Sequence, residues 1–289
     1  MIVDFRFTPP TPEGLPRYTT PPPHMKGYAD AYGERVFGSQ RLHPMPADEL
    51  VAWLDQQGVD SVLLKCSDTE TTLGAKYPMD RLHEYVKAHP QRLLATAGVD
   101  PHKGMRAVRE IEEVVGGFGF KAVNMNPFEL RLHANDKKFY PIYTKCVELD
   151  IPVLLHTSFN LTRDFSLDYG RPIYLDEVAK DFPELKIVAV HGGWPWVLEM
   201  VAICWKYPNV FIEISGTMPK YIMTPNSGWD PLLVYGNGLL QDRILWGSNW
   251  PMIAPRDSIE WVEKFPLKEE VKRKWLGENA ARLLKLRTP

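Results

Sequence analysis

Cysteine is scarce in this chain, and the three copies present, Cys66, Cys146 and Cys204, are odd in number and widely scattered. Such spacing fits neither a disulfide framework nor a zinc cluster, and it points to a reducing compartment. An excess of one charge is also missing. Acidic and basic residues are interspersed to a net charge of −2, so no field gathers nucleic acid or an anionic membrane. No run of about 18 consecutive apolar residues occurs, and the first apolar segment carries Asp4 and Arg6, which disfavours a membrane span and a signal peptide. A cytoplasmic protein with neither nucleic acid nor membrane as partner is expected. The first strand is not followed by a glycine-rich phosphate turn; Phe7-Thr8-Pro9-Pro10 stands there, which argues against a doubly wound sheet.

Proline, by contrast, is plentiful and unevenly placed. Nine of its 26 copies fall within residues 9–46, including Pro9-Pro10 and Pro21-Pro22-Pro23, which excludes a regular element of any length there. Loops this long inside a compact protein are usually functional. Its position after the first strand suits a lid over a barrel mouth or a partner-binding arm; the alternative is an ordered surface wrap.

The rest of the chain alternates. Ile187-Val188-Ala189-Val190 reads as a strand buried on both faces that delivers His191 to Gly192-Gly193, and residues 151–155 deliver His156 in the same way. Apolar runs at 1–8, 61–66, 93–99, 118–124, 210–214 and 243–246 complete eight strands. Helical stripes at 47–58, 79–88, 103–115, 136–149, 196–205, 258–265 and 268–286 fall between and after them. This pattern, in 289 residues that are 44% hydrophobic, predicts an α/β fold, a (β/α)8 TIM barrel forming one domain over 1–289 with 9–46 as a loop or lid insertion.

In such a barrel the strand exits share one cavity, and here they are polar: Arg6 and Thr8, Lys65, Asp100, Asn124 with Lys121 further down its strand, His156, His191, Ser215 and Asn249. Trp194, Trp196, Trp246 and Trp250 lie beside two of these exits and suit an aromatic wall for a planar substrate. Structural explanations stand beside each. Arg6 could pair with Asp4 or Glu213, the lysines could line a wall, and the tryptophans could fill the core.

The Asp4-Phe-Arg-Phe-Thr8 opening, Pro152-Val-Leu-Leu-His156, His191-Gly-Gly193, Leu245-Trp-Gly-Ser-Asn-Trp-Pro251 and Glu278-Asn-Ala-Ala-Arg-Leu-Leu284 together resemble the amidohydrolase superfamily. The similarity is nearest to the amidohydrolase 2 branch of aminocarboxymuconate semialdehyde decarboxylase and related aromatic-acid decarboxylases. The resemblance implies a divalent metal on a first-strand His-x-His pair, a fifth-strand His and an eighth-strand Asp, with a sixth-strand His acting on substrate or water. Only His156 and His191 match. Arg6 and Thr8 replace the pair and Asn249 replaces the Asp; an arginine cannot become a ligand, and an amide oxygen is a poor carboxylate.

Arg6 beside a neutral Asn249 carries the same net charge as a divalent cation with one carboxylate, so the field can survive the metal's loss. The expectation is metal-independent chemistry with Arg6 as fixed cation and His156 and His191 as acid–base groups titrating near their ordinary pKa of about 6.5. Thr8, Lys65, Lys121, Asn124, Trp194, Ser215, Asn249 and Trp250 are expected to bind substrate. Hydrolysis of a small carboxylate or lactone by a homo-oligomer, a dimer, leads. The alternatives are decarboxylation of an aromatic or unsaturated acid, with or without weakly bound zinc or manganese on His156 and His191 aided by Asp100, His24 or His43, and a ligand-binding descendant without catalysis.

Overall fold

In a computed structural model describing residues 1–33 and 42–287, the apolar runs form β1 (Val3–Phe7), β2 (Ser61–Leu64), β3 (Leu93–Gly98), β4 (Ala122–Met125), β5 (Val153–His156), β6 (Ile187–Val190), β7 (Val210–Glu213) and β8 (Ile244–Leu245). They pair in chain order, every pair parallel. The Phe5 amide donates to Trp246 O at 3.1 Å and the Thr8 amide to Trp250 O at 3.1 Å, which brings β8 back to β1. The result is a single-domain TIM-like barrel whose eight strands nearly close.

Two cores follow from this closure. Leu63, Leu94, Ala122, Leu154, Val188 and Leu245 fill the barrel interior with Val3 and Phe5, and Ala280, Leu283 and Leu284 of the terminal helix plug its lower end. A larger cluster lies between sheet and helices. Along β2, β4 and β5 the strand period of two then sets Lys65, Asn124 and His156 one step above that apolar layer.

β1 departs from simple alternation. Its register with β2 runs Asp4↔Val62 and then Phe7↔Leu64, so one extra residue is bulged into β1. Below the bulge Val3 and Phe5 face the interior; above it Arg6 and Thr8 line the cavity while Phe7 turns outward to stack on Trp250. A strict period of two, placing Asp4, Arg6 and Thr8 on one face, misses this step.

Helices Ala47–Gln57, Met79–Ala88, Met105–Phe118, Tyr140–Glu148, Val197–Lys206 and Pro255–Glu263 lie where the stripes put them. The helix over 105–118 overruns its stripe to Gly119, which caps it at φ 73°, so the fourth strand starts at Ala122 rather than 118. The expected helix 268–286 breaks into Glu269–Arg273, a π-helical turn Lys274–Glu278 and Asn279–Leu283. Tyr174–Asp181 and Asp230–Gly236 are helices the stripes did not signal. Within the proline-rich segment, Pro16–Thr19, a 3-10 turn at Pro23–Met25 and Lys26–Tyr32 are helical, the longest lying where prolines stop; residues 34–41 fall outside the described residues.

Candidate active site

The C-terminal ends of the strands surround a cavity of about 600 Å³, room for a small molecule. Arg6, Lys65, Asn124, His156, His191 and Asn249 line it from the barrel, and Arg17, Tyr18, His24 and Tyr28 line it from the proline-rich segment.

Two cations sit at its floor. Arg6, 4% exposed, donates from Nη1 to Asn124 Oδ1 at 3.0 Å, and Asn124 is itself fixed by Nδ2 donating to Cys66 O at 2.7 Å. Burial pulls the guanidinium's pKa down while Glu213 opposes it. Lys65 Nζ donates to Asn249 Oδ1 at 2.5 Å; burial, reinforced by Arg6, pulls its pKa down to about 8. Thr8 Oγ1 lies 3.1 Å from Tyr18 Oη.

The two histidine rings meet edge to face, centroids 5.0 Å apart. His191 turns into the cavity from φ 73°, its Nδ1 lying 2.9 Å from Ser215 O, which can only accept. That contact places the proton on Nδ1 and leaves the Nε2 lone pair free for chemistry. A Cβ at Gly216 would lie 2.7 Å from His191 Nδ1, so glycine there keeps the ring seated. Burial, and next Arg6, lower His156 to about 3 and hold His191 well below the ordinary value. Both are therefore neutral near pH 7, a correction to the expected titration at about 6.5.

Two buried carboxylates back this arrangement. Glu213, fully buried, accepts the His191 amide at 3.2 Å, and its Oε1 has no partner. Burial raises its pKa against the pull of Arg6. Glu129, also fully buried, accepts from Arg17 Nη2 on one oxygen and from Asn126 Nδ2 at 2.6 Å on the other. Burial would raise this carboxyl, but Arg17 and Asn126 outweigh it and hold it below its ordinary value.

A family model described as Amidohydrolase matches residues 73–286. The chain belongs to the amidohydrolase family. This amidohydrolase is 24% identical over 293 residues to a gamma-resorcylate decarboxylase of Polaromonas sp. strain JS666, covering 83% of the chain and 87% of that protein. An uncharacterized TIM-barrel protein from Bordetella bronchiseptica superposes with TM-score 0.80 at 25% identity, over 99% of this chain and 98% of that one. A dihydroxybenzoic acid decarboxylase from Polaromonas sp. JS666, solved with manganese and the inhibitor 2-nitroresorcinol, shares the fold at TM-score 0.69 and 20% identity, over 100% of this chain and 98% of that one.

The residues present do not fit a resident divalent metal. Among the described residues no three His, Cys, Asp or Glu side chains gather as a ligand set. Arg6 and Lys65 stand beside the two histidines instead, and both would repel a divalent ion. Asp100 is committed to Thr71 and to the His102 amide, and His43 pairs with Glu49 rather than lining the cavity. His24 does line it, 4.0 Å from Glu129.

Of the expected binding residues, Thr8, Lys65, Asn124 and Asn249 line the cavity. Lys121 does not. It precedes β4 and so lies at the opposite end of the barrel. Trp194 meets Phe159 edge to face and donates to Ser227 O, and Trp250 stacks on Phe7 and meets Trp53 edge to face, so neither tryptophan lines the cavity. Ser215 faces His191 Nδ1 rather than the cavity. Sequence reasoning missed Tyr18, Arg17, Asn126 and Glu129. Glu129 alone left a trace, as a carboxylate close after the fourth strand's exit in an otherwise apolar run.

Proposed function

We propose that this amidohydrolase is a carboxy-lyase that removes CO2 from a small aromatic or unsaturated acid carrying a neighbouring hydroxyl, using its own cations where relatives hold a metal. One observation carries the reading: Arg6, buried, and Lys65, half-buried, converge on a cavity with two histidines held neutral. The likeness to decarboxylases moves the preference from hydrolysis to carbon–carbon cleavage.

His191 Nε2 accepts the hydroxyl proton of the substrate. Electrons from the resulting oxyanion raise density at the carbon bearing the carboxylate, that carbon is protonated, and the bond to CO2 breaks with its pair restoring conjugation. Because CO2 leaves uncharged, a cation gripping only the carboxylate would favour the ground state. Arg6 and Lys65 instead span carboxylate and oxyanion, so the charge stays within their reach as it moves. Asn124 and Asn249 hold the two cations in place, and residues 9–33 cover the bound acid.

The test is CO2 release from a hydroxybenzoate series by protein purified without added metal, with and without chelator, alongside metal analysis. Activity that survives chelation in metal-free protein supports the reading; strict dependence on manganese or zinc sinks it. Arg6→Met should lower kcat/KM by about 10²- to 10³-fold. A second reading, hydrolysis of a lactone, draws on the His191 Nε2 lone pair, which can equally activate water. Turnover of lactones with none of the acids would select it.

A further inference from the structure

The strand exits supply bases and cations, yet decarboxylation consumes a net proton at carbon; the neutral histidines bring none of their own, and the one His191 takes from the hydroxyl must go back to it. The segment after β1 brings a candidate. Tyr18, on the short helix Pro16–Thr19, lines the same cavity as Arg6 and His191. Its Oη lies 3.1 Å from Thr8 Oγ1, and the Lys65 ammonium, anchored on Asn249, bonds to the same phenol with Nζ 5.9 Å from the ring centroid.

We infer that Tyr18 is a catalytic residue of this site, the proton donor to the carbon that loses CO2. The inference rests on the carboxy-lyase reading. Tyr18 O–H breaks, its proton forms the new C–H bond, and the C–CO2 bond then gives up its electron pair to the conjugated system. The phenolate takes a proton from Lys65, which regains one from water, and His191 returns the hydroxyl proton, so one solvent proton is consumed per CO2. The surroundings suit an acid: burial would raise the phenol's pKa, but Lys65 and Arg17 outweigh it and leave Tyr18 more acidic than an ordinary tyrosine.

Tyr18→Phe keeps the ring and removes the proton. With 2,6-dihydroxybenzoate and related hydroxybenzoates as substrates, kcat should fall by about 10²- to 10⁴-fold. Deuterium exchange from solvent into the vacated carbon of the product should be lost in parallel. Binding of 2-nitroresorcinol, which cannot lose CO2, should stay within about twofold of the unaltered protein, showing a folded site that still recognises its ligand. A variant that turns over at the unaltered rate overturns the assignment and leaves the carboxy-lyase reading standing. Loss of 2-nitroresorcinol binding together with activity makes Tyr18 a binding or structural residue and overturns it as well. An unaltered protein inert toward every acid overturns both.

Discussion

Arg6, buried, and Lys65, half-buried, are costly charges to withdraw from water, and each is held by a side-chain amide rather than by a carboxylate. Amides orient a cation without cancelling its charge, which leaves both available to an anionic ligand. Lys65 loses its charge as pH rises through about 8. KM for a carboxylate substrate should therefore climb above that pH, and Lys65→Arg should move the rise upward because a guanidinium stays charged. Initial-rate measurements from pH 6 to about 10 would show it; an unmoved profile in the variant would assign the rise elsewhere.

Among the elements, the segment after β1 is tied to the barrel through Arg17. Its partner Glu129 is fully buried, so removing the guanidinium strands a carboxylate away from water. Arg17→Met should cost about 3 kcal/mol, and adding Glu129→Gln should recover part of that by removing the stranded charge. Urea unfolding of both variants is the check. If Arg17→Met unfolds at the unaltered midpoint, the pair does not hold the segment. The bulge in β1 is the other deciding element, since without it Arg6, next after the inward-facing Phe5, would point to the outer face.

At the scale of the molecule, the burial that keeps the histidines neutral couples folding to pH. The unfolded chain protonates His156 near 6.5, whereas the native chain does so at about 3. Stability from this group is therefore complete above about pH 6.5 and is lost as pH falls toward 3, because only the unfolded state takes up the proton. Asp4 works in the opposite sense. Burial raises it to about 7, so its contribution is complete below its ordinary value of 3.8 and is lost as pH rises through 7. Thermal melts between pH 5 and 7 should show a shallower acid-side fall for His156→Gln and a steeper one for Asp4→Asn.

The alternation of apolar runs and stripes settled the barrel from sequence alone, because strand and helix periods are local properties of the chain. For the same reason Lys65, Asn124, His156 and Asn249 were legible as residues that line the cavity: each ends or follows a run whose other members must be buried. Lys121 and the tryptophans were misplaced because the Gly119 cap and the packing of Trp250 on Phe7 are set by neighbours rather than by period. Only the tertiary structure brought Tyr18 to Lys65 and Arg17 to Glu129, pairs 47 and 112 residues apart, the first counted from the sequence. It alone moved the histidines from titrating near neutrality to staying unprotonated. Dehydration and the nearness of Arg6 are properties of a closed cavity, and no segment of the chain carries them by itself.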